Sequence, residues 1–399
     1  MLVAKDELGR VVVAYNKTVQ QLHSIRQMSL FCPDCKEPVI LKAGSIITPH
    51  FAHLKHSHCT NYENESEAHL KGKLHLYEWF KKQNIPVTIE HYFPSIKQRA
   101  DLLIKVKKKY IAIEYQCAPI SINELIERTN GFLSLGIIPI WIFGSSYLSY
   151  FHNAAIKLNT VLKAAIHHYS LNKTSKLIFY EPFKRQFTIG SNFYLVKNKG
   201  YCHLVRKQIM NITWPSLFKF ETINDNMLFR NWLKEKRNFR NQQRVYQAKA
   251  DQRFVQQLYN NHLHPQNLPS VIHLPVQNSH MYVTPHYIWQ SKIVLNVIHP
   301  LNVGESFKWG QVWSQVKDEF KQHIPVCYPT PQNHPAYQFL CHLITLGYLR
   351  QTKNLTFIKI KLFKFHKTLN KALADDEQYL RILLNKRNNS FKKTFYHIK

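Results

Sequence analysis

Apolar residues recur at helical spacing at Leu70, Leu74 and Tyr77 within "ESEAHLKGKLHLYEWFKKQ", which predicts a helix there. Three short runs follow, "IPVTIEHYF", "RADLLIKV" and "YIAIEYQCA", rich in β-branched and aromatic residues and bounded by turns, and they predict strands. "SINELIERTNGFLSLG" returns to the helical period and is closed by Gly136, and "IIPIWIFG" is a further strand. The resulting order is helix, three strands, helix, strand, an α+β or α/β core. Upstream, "MLVAKDELGRVVVAY" reads as a short hairpin turning at "ELGR".

Beyond residue 150 the pattern is weaker. "LSYFHNAAIKLNTVLKAAIHHY" predicts a helix and "RQFTIGSNFYLV" a strand, and residues 228–257 predict a long, polar, basic helix. The prolines and histidines of 263–300 suggest a connector. Two more helices and the strand "LTFIKIKLF" leave two readings near 305–365, a winged-helix-like part or a plain α+β packing unit. The expected organisation is a hairpin and metal-binding segment at 1–60, a core domain at 61–150, and a basic, largely helical α+β region at 151–399. The longest candidate for a membrane span, "GIIPIWIFG", is only strand-sized, so no membrane span is expected.

Composition changes the picture in two ways. Hydrophobic residues make up 45% of the 399, enough for well-formed cores. Lys and Arg number 54 against 24 Asp and Glu, a formal net charge of +30. That imbalance calls for a polyanionic partner, nucleic acid first and an anionic membrane surface as the alternative. The beginning of the chain lacks the apolar stretch of a signal peptide, so a cytoplasmic location is expected.

Of the 7 cysteines, three crowd between 32 and 59, which in a cytoplasmic protein favours metal over disulfides. "FCPDC" sets Cys32 and Cys35 in a CxxC knuckle, and "HFAHLKHSHC" adds His50, His53, His56, His58 and Cys59. Thiolate and imidazole together suit zinc, with Cys59 as third ligand and His53 as fourth, ahead of His50. Protein ligands can fill all four positions, so the zinc is read as structural.

A second constellation lies on the core elements. A turn at "KVKKKY" lets "ADLLI" and "IAIEYQ" pair antiparallel, which brings Asp101 near Glu114 and Gln116. Two carboxylates there suit Mg²⁺, which can activate water and stabilise charge on a scissile phosphate. Glu65, His69 and Lys73 recur every four residues on one helical stripe, where Glu65 can reach the metal and the other two can grip phosphate or orient water. Arg128 on the next helix is a candidate phosphate clamp. Each feature alone is ordinary, since a charged stripe is usually a solvated face and acids at strand ends are common.

Taken in order, "CPDC", "HFAH", Cys59, "ESEAH", "RADLLI", "IEYQC" and "NELIERT" resemble the competence protein CoiA family over residues 1 to about 150. The resemblance implies a restriction-endonuclease-like, or PD-(D/E)xK, nuclease core behind a zinc-finger-like N-terminus. It also implies metal-dependent processing of single- or double-stranded DNA taken up in natural transformation, before or during recombination. By position, Asp101 and Glu114 match the motif acids, and Gln116 stands where the lysine usually does. Ala100 replaces the proline before Asp101. A charge from Lys73 or Arg128 would make good what Gln116 lacks, with Mg²⁺, or Mn²⁺ in its place, as the catalytic ion. The alternative is a non-catalytic DNA-binding or recombination-accessory protein on the same fold.

Overall fold

The computed structural model describes residues 1–44, 47–54, 59, 65–151, 155–169, 174–219, 225–241, 249–320 and 334–395. It divides into two compact units, the first formed by Met1–Ser149, Asn159–Gly190 and Leu204–Phe220. The second comprises Tyr150–Leu158, Ser191–His203 and Glu221–Lys399.

The first unit begins with a hairpin of β1 (Val3–Lys5) and β2 (Val11–Val13), whose turn holds Gly9 at φ +74. Helix α1 (Val19–Arg26) starts at Thr18 with a reciprocal cap from Gln21. Strands β3 (Val39–Lys42) and β4 (His50–His53) pair antiparallel. Met1, Ala4, Ile25, Leu30 and Phe51 pack around Cys32 and Cys59, a core too small to stand alone.

Helix α2 (Glu67–Lys82) follows, capped by the Ser66 side chain accepting from the His69 N–H. Strands β5 (Val87–Phe93), β6 (Gln98–Val106) and β7 (Lys109–Gln116) form an antiparallel meander. Helix α3 (Ile122–Ser134) then carries the chain over to β8 (Ile138–Gly144), parallel to β7. The parallel strand Thr174–Glu181 extends the sheet beyond β8. Leu70, Leu76, Trp79 and Phe80 of α2 bury against Leu102, Ile104, Ile111, Ile113 and Tyr115 on one face. Phe132 of α3 covers Ala100 and Ala112 on the other.

Helix α2 comes close because Gly72 has no side chain. A Cβ there would meet the Tyr115 ring at 2.0 Å, and Tyr115 is buried in the sheet and cannot yield. Gly72→Ala is therefore expected to destabilise the unit by about 1–3 kcal/mol, despite the better helix propensity of alanine. Urea unfolding checks this; a more stable variant would show that the helix can lift away freely.

The sheet opens at one rung. The β5–β6 ladder runs Ile89↔Leu102 and His91↔Ala100, and the β6–β7 ladder ends at Leu102↔Ile113. Glu90, Asp101 and Glu114 thus lie opposite one another on three adjacent strands, where the regular pairing is interrupted. Glu90 has φ +53, a left-handed conformation that is unusual for a non-glycine residue inside a strand.

The second unit has its own core, built on Trp232, Phe239, Tyr287, Trp289, Phe339 and Phe357. Its helices include Asp225–Asn241, Lys249–Asn260, His286–Lys292 running into a π-helix at Ile293–Ile298, Trp309–Val316, Pro335–Thr345 and Leu369–Phe395. The long basic helix expected over 228–257 is two helices among the described residues, with 242–248 outside them. Ser306–Lys308, Thr356–Lys359 and Leu349–Gln351 form a three-stranded antiparallel sheet in that spatial order. The stretch 263–300 is no connector. Leu268, Val271, Ile272, Leu274, Tyr287 and Trp289 are buried, the prolines shape turns, and the apolar residues between them fill the core.

Candidate metal centre and nuclease-like site

Both candidate sites lie in the first unit. The CxxC turn and β4 bring Cys32, Cys35, His53 and Cys59 together, with their ligand atoms all within 4.8 Å of one another. The Cys35 sulfur is 3.3 Å from His53 Nε2. Burial pushes both CxxC thiols up and the His53 imidazole down, so His53 is neutral and its nitrogen can ligate. Three sulfurs and one imidazole at this separation fit a tetrahedral metal ion. His50 is turned elsewhere, its Nδ1 2.8 Å from the Thr48 carbonyl oxygen. His56 and His58 lie outside the described residues.

The second site is built on the open rung. Lys73 is fully buried, its Nζ 2.6 Å from Glu65 Oε1, 2.5 Å from Glu90 Oε1 and 3.7 Å from Asp101 Oδ1. Burial alone would lower its pKa, but the surrounding carboxylates raise it, so Lys73 is charged. Glu90 Oε2 also accepts from the backbone N–H groups of Leu2 and Val3, at 2.7 and 3.1 Å. Glu65 Oε2 lies 3.1 Å from the Met1 ammonium. Each acid of the cluster thus has a positive or N–H partner, the condition for keeping buried charge tolerable.

Asp101 sits where β6 and β7 part, and its Oδ2 accepts the Tyr115 N–H at 2.9 Å in place of a ladder carbonyl. The same oxygen is 3.3 Å from His69 Nε2. Against the effect of burial, His69 and Lys73 hold Asp101 well below the carboxylate range, and Asp101 in turn raises His69. Glu114 differs. Burial lifts its pKa to about 7, although Arg128 pairs with it and pulls the other way. Arg128 donates through Nε at 3.1 Å and through Nη2 to Glu114 Oε2, and also from Nη2 to the Arg99 carbonyl at 3.0 Å. Glu114 Oε1 is buried without a hydrogen-bond partner. Gln116 turns away, its Nε2 donating to the Ala118 carbonyl at 2.8 Å.

Three contributors escape a reading of the sequence. Glu90 stands alone in an apolar strand, and its isolation as an acid there is the one signal that marks it. Arg99 reaches from the rung to Asp34, inside the CxxC turn, at 2.9 Å, and approaches Glu65 at 4.0 Å. The thiolate knuckle and the acid cluster are therefore joined by one guanidinium. Arg99→Met is expected to cost about 1.5–3 kcal/mol and to speed loss of bound metal to a chelator. Metal release followed with a colorimetric chelator checks it; an unchanged release rate would mean that the two sites are independent.

The comparisons with known proteins point the same way. The family model described as the competence protein CoiA nuclease-like domain matches residues 65–222. Those of the CoiA N-terminal and C-terminal domains match 14–62 and 228–373. The competence protein CoiA of Bacillus subtilis (strain 168) is 28% identical over 350 residues, covering 85% of this chain and 92% of that protein. No solved structure matches. This is a protein with a nuclease-like domain and a Cys/His site able to hold a metal. The chain belongs to the CoiA family of competence proteins. No described helix is long and apolar enough to cross a membrane.

Proposed function

We propose that this protein is a metal-dependent nuclease, working in the cytoplasm, that processes single- or double-stranded DNA taken up in natural transformation for recombination. The observation that carries the reading is the buried Lys73 ammonium among Glu65, Glu90 and Asp101, where it supplies beside the motif acid the charge that Gln116 lacks. Within a restriction-endonuclease-like core at 61–150, Asp101 and Glu114 would hold Mg²⁺ or Mn²⁺. The donor set fits, since the two carboxylates face each other across the open rung and Glu114 keeps an orphaned oxygen. When bound, such an ion lowers the pKa of its water and stabilises charge on the phosphate.

The other roles belong to the chain's own residues. His69, fixed by Asp101, holds or moves a proton at Nε2. Glu65 and Glu90 keep Lys73 charged and in place. Arg128, a quarter exposed at 24%, is placed to exchange Glu114 for a phosphate oxygen. Cys32, Cys35, His53 and Cys59 hold a structural zinc within a segment at 1–60. The basic region 151–399 contacts DNA, and the strand–helix–helix–hairpin order between Ser306 and Lys359 supports a winged-helix-like part.

A second reading has its own support. Arg128 already pairs with Glu114, as expected of a centre that holds DNA, or recruits recombination proteins, without cutting. Incubation with linear single- and double-stranded DNA in Mg²⁺, Mn²⁺ or EDTA separates the two. Metal-dependent cutting supports the nuclease; salt-sensitive binding with no cutting under any metal supports the accessory role.

A further inference from the structure

The second unit contains a cavity of about 290 Å³ whose lining belongs to neither candidate site above. Its wall includes Phe151, Phe239 and Tyr287, with the Phe239 and Tyr287 rings 5.0 Å apart and inclined by 30°. That volume lies at the lower end of the roughly 300–1,000 Å³ typical of small-ligand pockets, room for one heterocycle and little more.

Its polar lining is unusual. His273 is only 2% exposed, has φ +65, and its Nδ1 has no hydrogen-bond partner. Its carbonyl accepts from Trp232 Nε1 at 2.8 Å, which anchors the backbone in this strained form. Burial, aided by His286, Lys236 and Arg240, holds the pKa of this imidazole well down, so the ring is neutral. A buried nitrogen without a partner, on a residue held in left-handed geometry and lining a cavity, needs a ligand to account for it. Asn238 adds an amide that can donate or accept.

The rim is basic. Lys197 and Lys199 flank a hairpin turn, with side chains 41% and 39% exposed. Each spends a single close contact on a buried acid, Asp251 at 3.0 Å and Glu235 at 2.8 Å. An ammonium has three donors, so both retain N–H groups for phosphate. Aromatic walls, neutral polar edges and a cationic rim are the parts of a site for an unpaired base. The net charge of +30 suits a polyanion that carries such bases.

We propose that this cavity receives one unpaired base of single-stranded nucleic acid, stacked on Phe239 and Tyr287 with its polar edge on His273 and Asn238, while Lys197 and Lys199 hold the flanking phosphates. The proposal rests on the DNA-handling reading and adds to it a preference for single strands with accessible bases.

The test is fluorescence anisotropy of the full chain in EDTA. One probe is a 5′-labelled 12-nucleotide single strand, the other a strand of the same length made of abasic units, both at the same salt. The base-bearing strand is expected to bind about tenfold tighter. His273→Asn, which tolerates the left-handed backbone, and Asn238→Trp, which fills the cavity, should each abolish that difference and leave abasic affinity unchanged. Thermal melting shows whether each variant folds; if one does not, the wild-type comparison and the other variant still decide. Equal binding of the two strands by wild type, or a preference that survives in the folded variants, would overturn this proposal and leave the DNA-handling reading standing. Binding of neither strand would overturn both.

Discussion

Lys73→Met is expected to be the most damaging single substitution in the chain. The ammonium is fully buried and lies within 3.7 Å of three carboxylates, so its removal leaves uncompensated negative charge in the core. Breaking a buried pair in this way costs about 3–5 kcal/mol, a large part of the stability of an ordinary domain. Chemical denaturation measures the loss. The double variant Lys73→Met with Glu90→Gln should recover part of it, because one of the stranded acids is gone. If the single variant were as stable as wild type, the ion cluster would contribute nothing to the fold, and the charge assigned to Lys73 would be superfluous.

Glu114→Gln is expected to do the opposite to stability while removing activity. Burial raises Glu114 from an ordinary value of 4.5 to about 7. An acid whose pKa is higher in the folded state stabilises the protein fully below the unfolded pKa. That contribution is lost as pH rises from about 4.5 through about 7. Above pH 7 and without metal, the folded protein therefore carries a buried charge that a neutral amide would spare. Glu114→Gln should melt higher than wild type at pH 8 in EDTA, the two should agree near pH 4.5, and the variant should not cleave DNA. Stability gained where function is lost is the usual mark of a strained site. A lower melting temperature at pH 8 would instead make the Arg128 ion pair the main role of Glu114.

How far the sequence discloses this protein depends on the range over which a feature is determined. Helix α2 is legible because Leu70, Leu74 and Tyr77 mark one face within two turns. The meander is legible from three apolar runs, and Asp101 and Glu114 stand out because a short turn makes β6 and β7 neighbours. The Cys/His cluster is legible in the same way, since a knuckle and a nearby hairpin need few residues to bring four ligands together. Glu90 is different. Its place on the rung depends on the register of a third strand and on its own left-handed backbone, neither of which local periodicity reports. The Arg99–Asp34 contact joins segments 65 residues apart, and the destination of Lys73 is settled only by what surrounds it. Gln116 shows the limit from the other side. Its position at i+2 from Glu114 is correct on paper, yet its amide is tied to Ala118 just beyond the strand. In the second unit, His273 lies within an apolar, proline-containing run in which nothing local distinguishes a connector from a core segment.

The central claim is that Asp101, supported by His69 and Lys73, is the acid of a working metal-dependent nuclease. It is tested most directly by the single-turnover cleavage rate of labelled DNA in Mg²⁺, wild type against Asp101→Asn, with binding matched and folding checked by melting. The account predicts cutting by wild type that EDTA stops, and a rate lower by roughly a thousandfold in Asp101→Asn at similar DNA affinity. Equal cutting by the two proteins, or no metal-dependent cutting by wild type on either single- or double-stranded DNA, would contradict it.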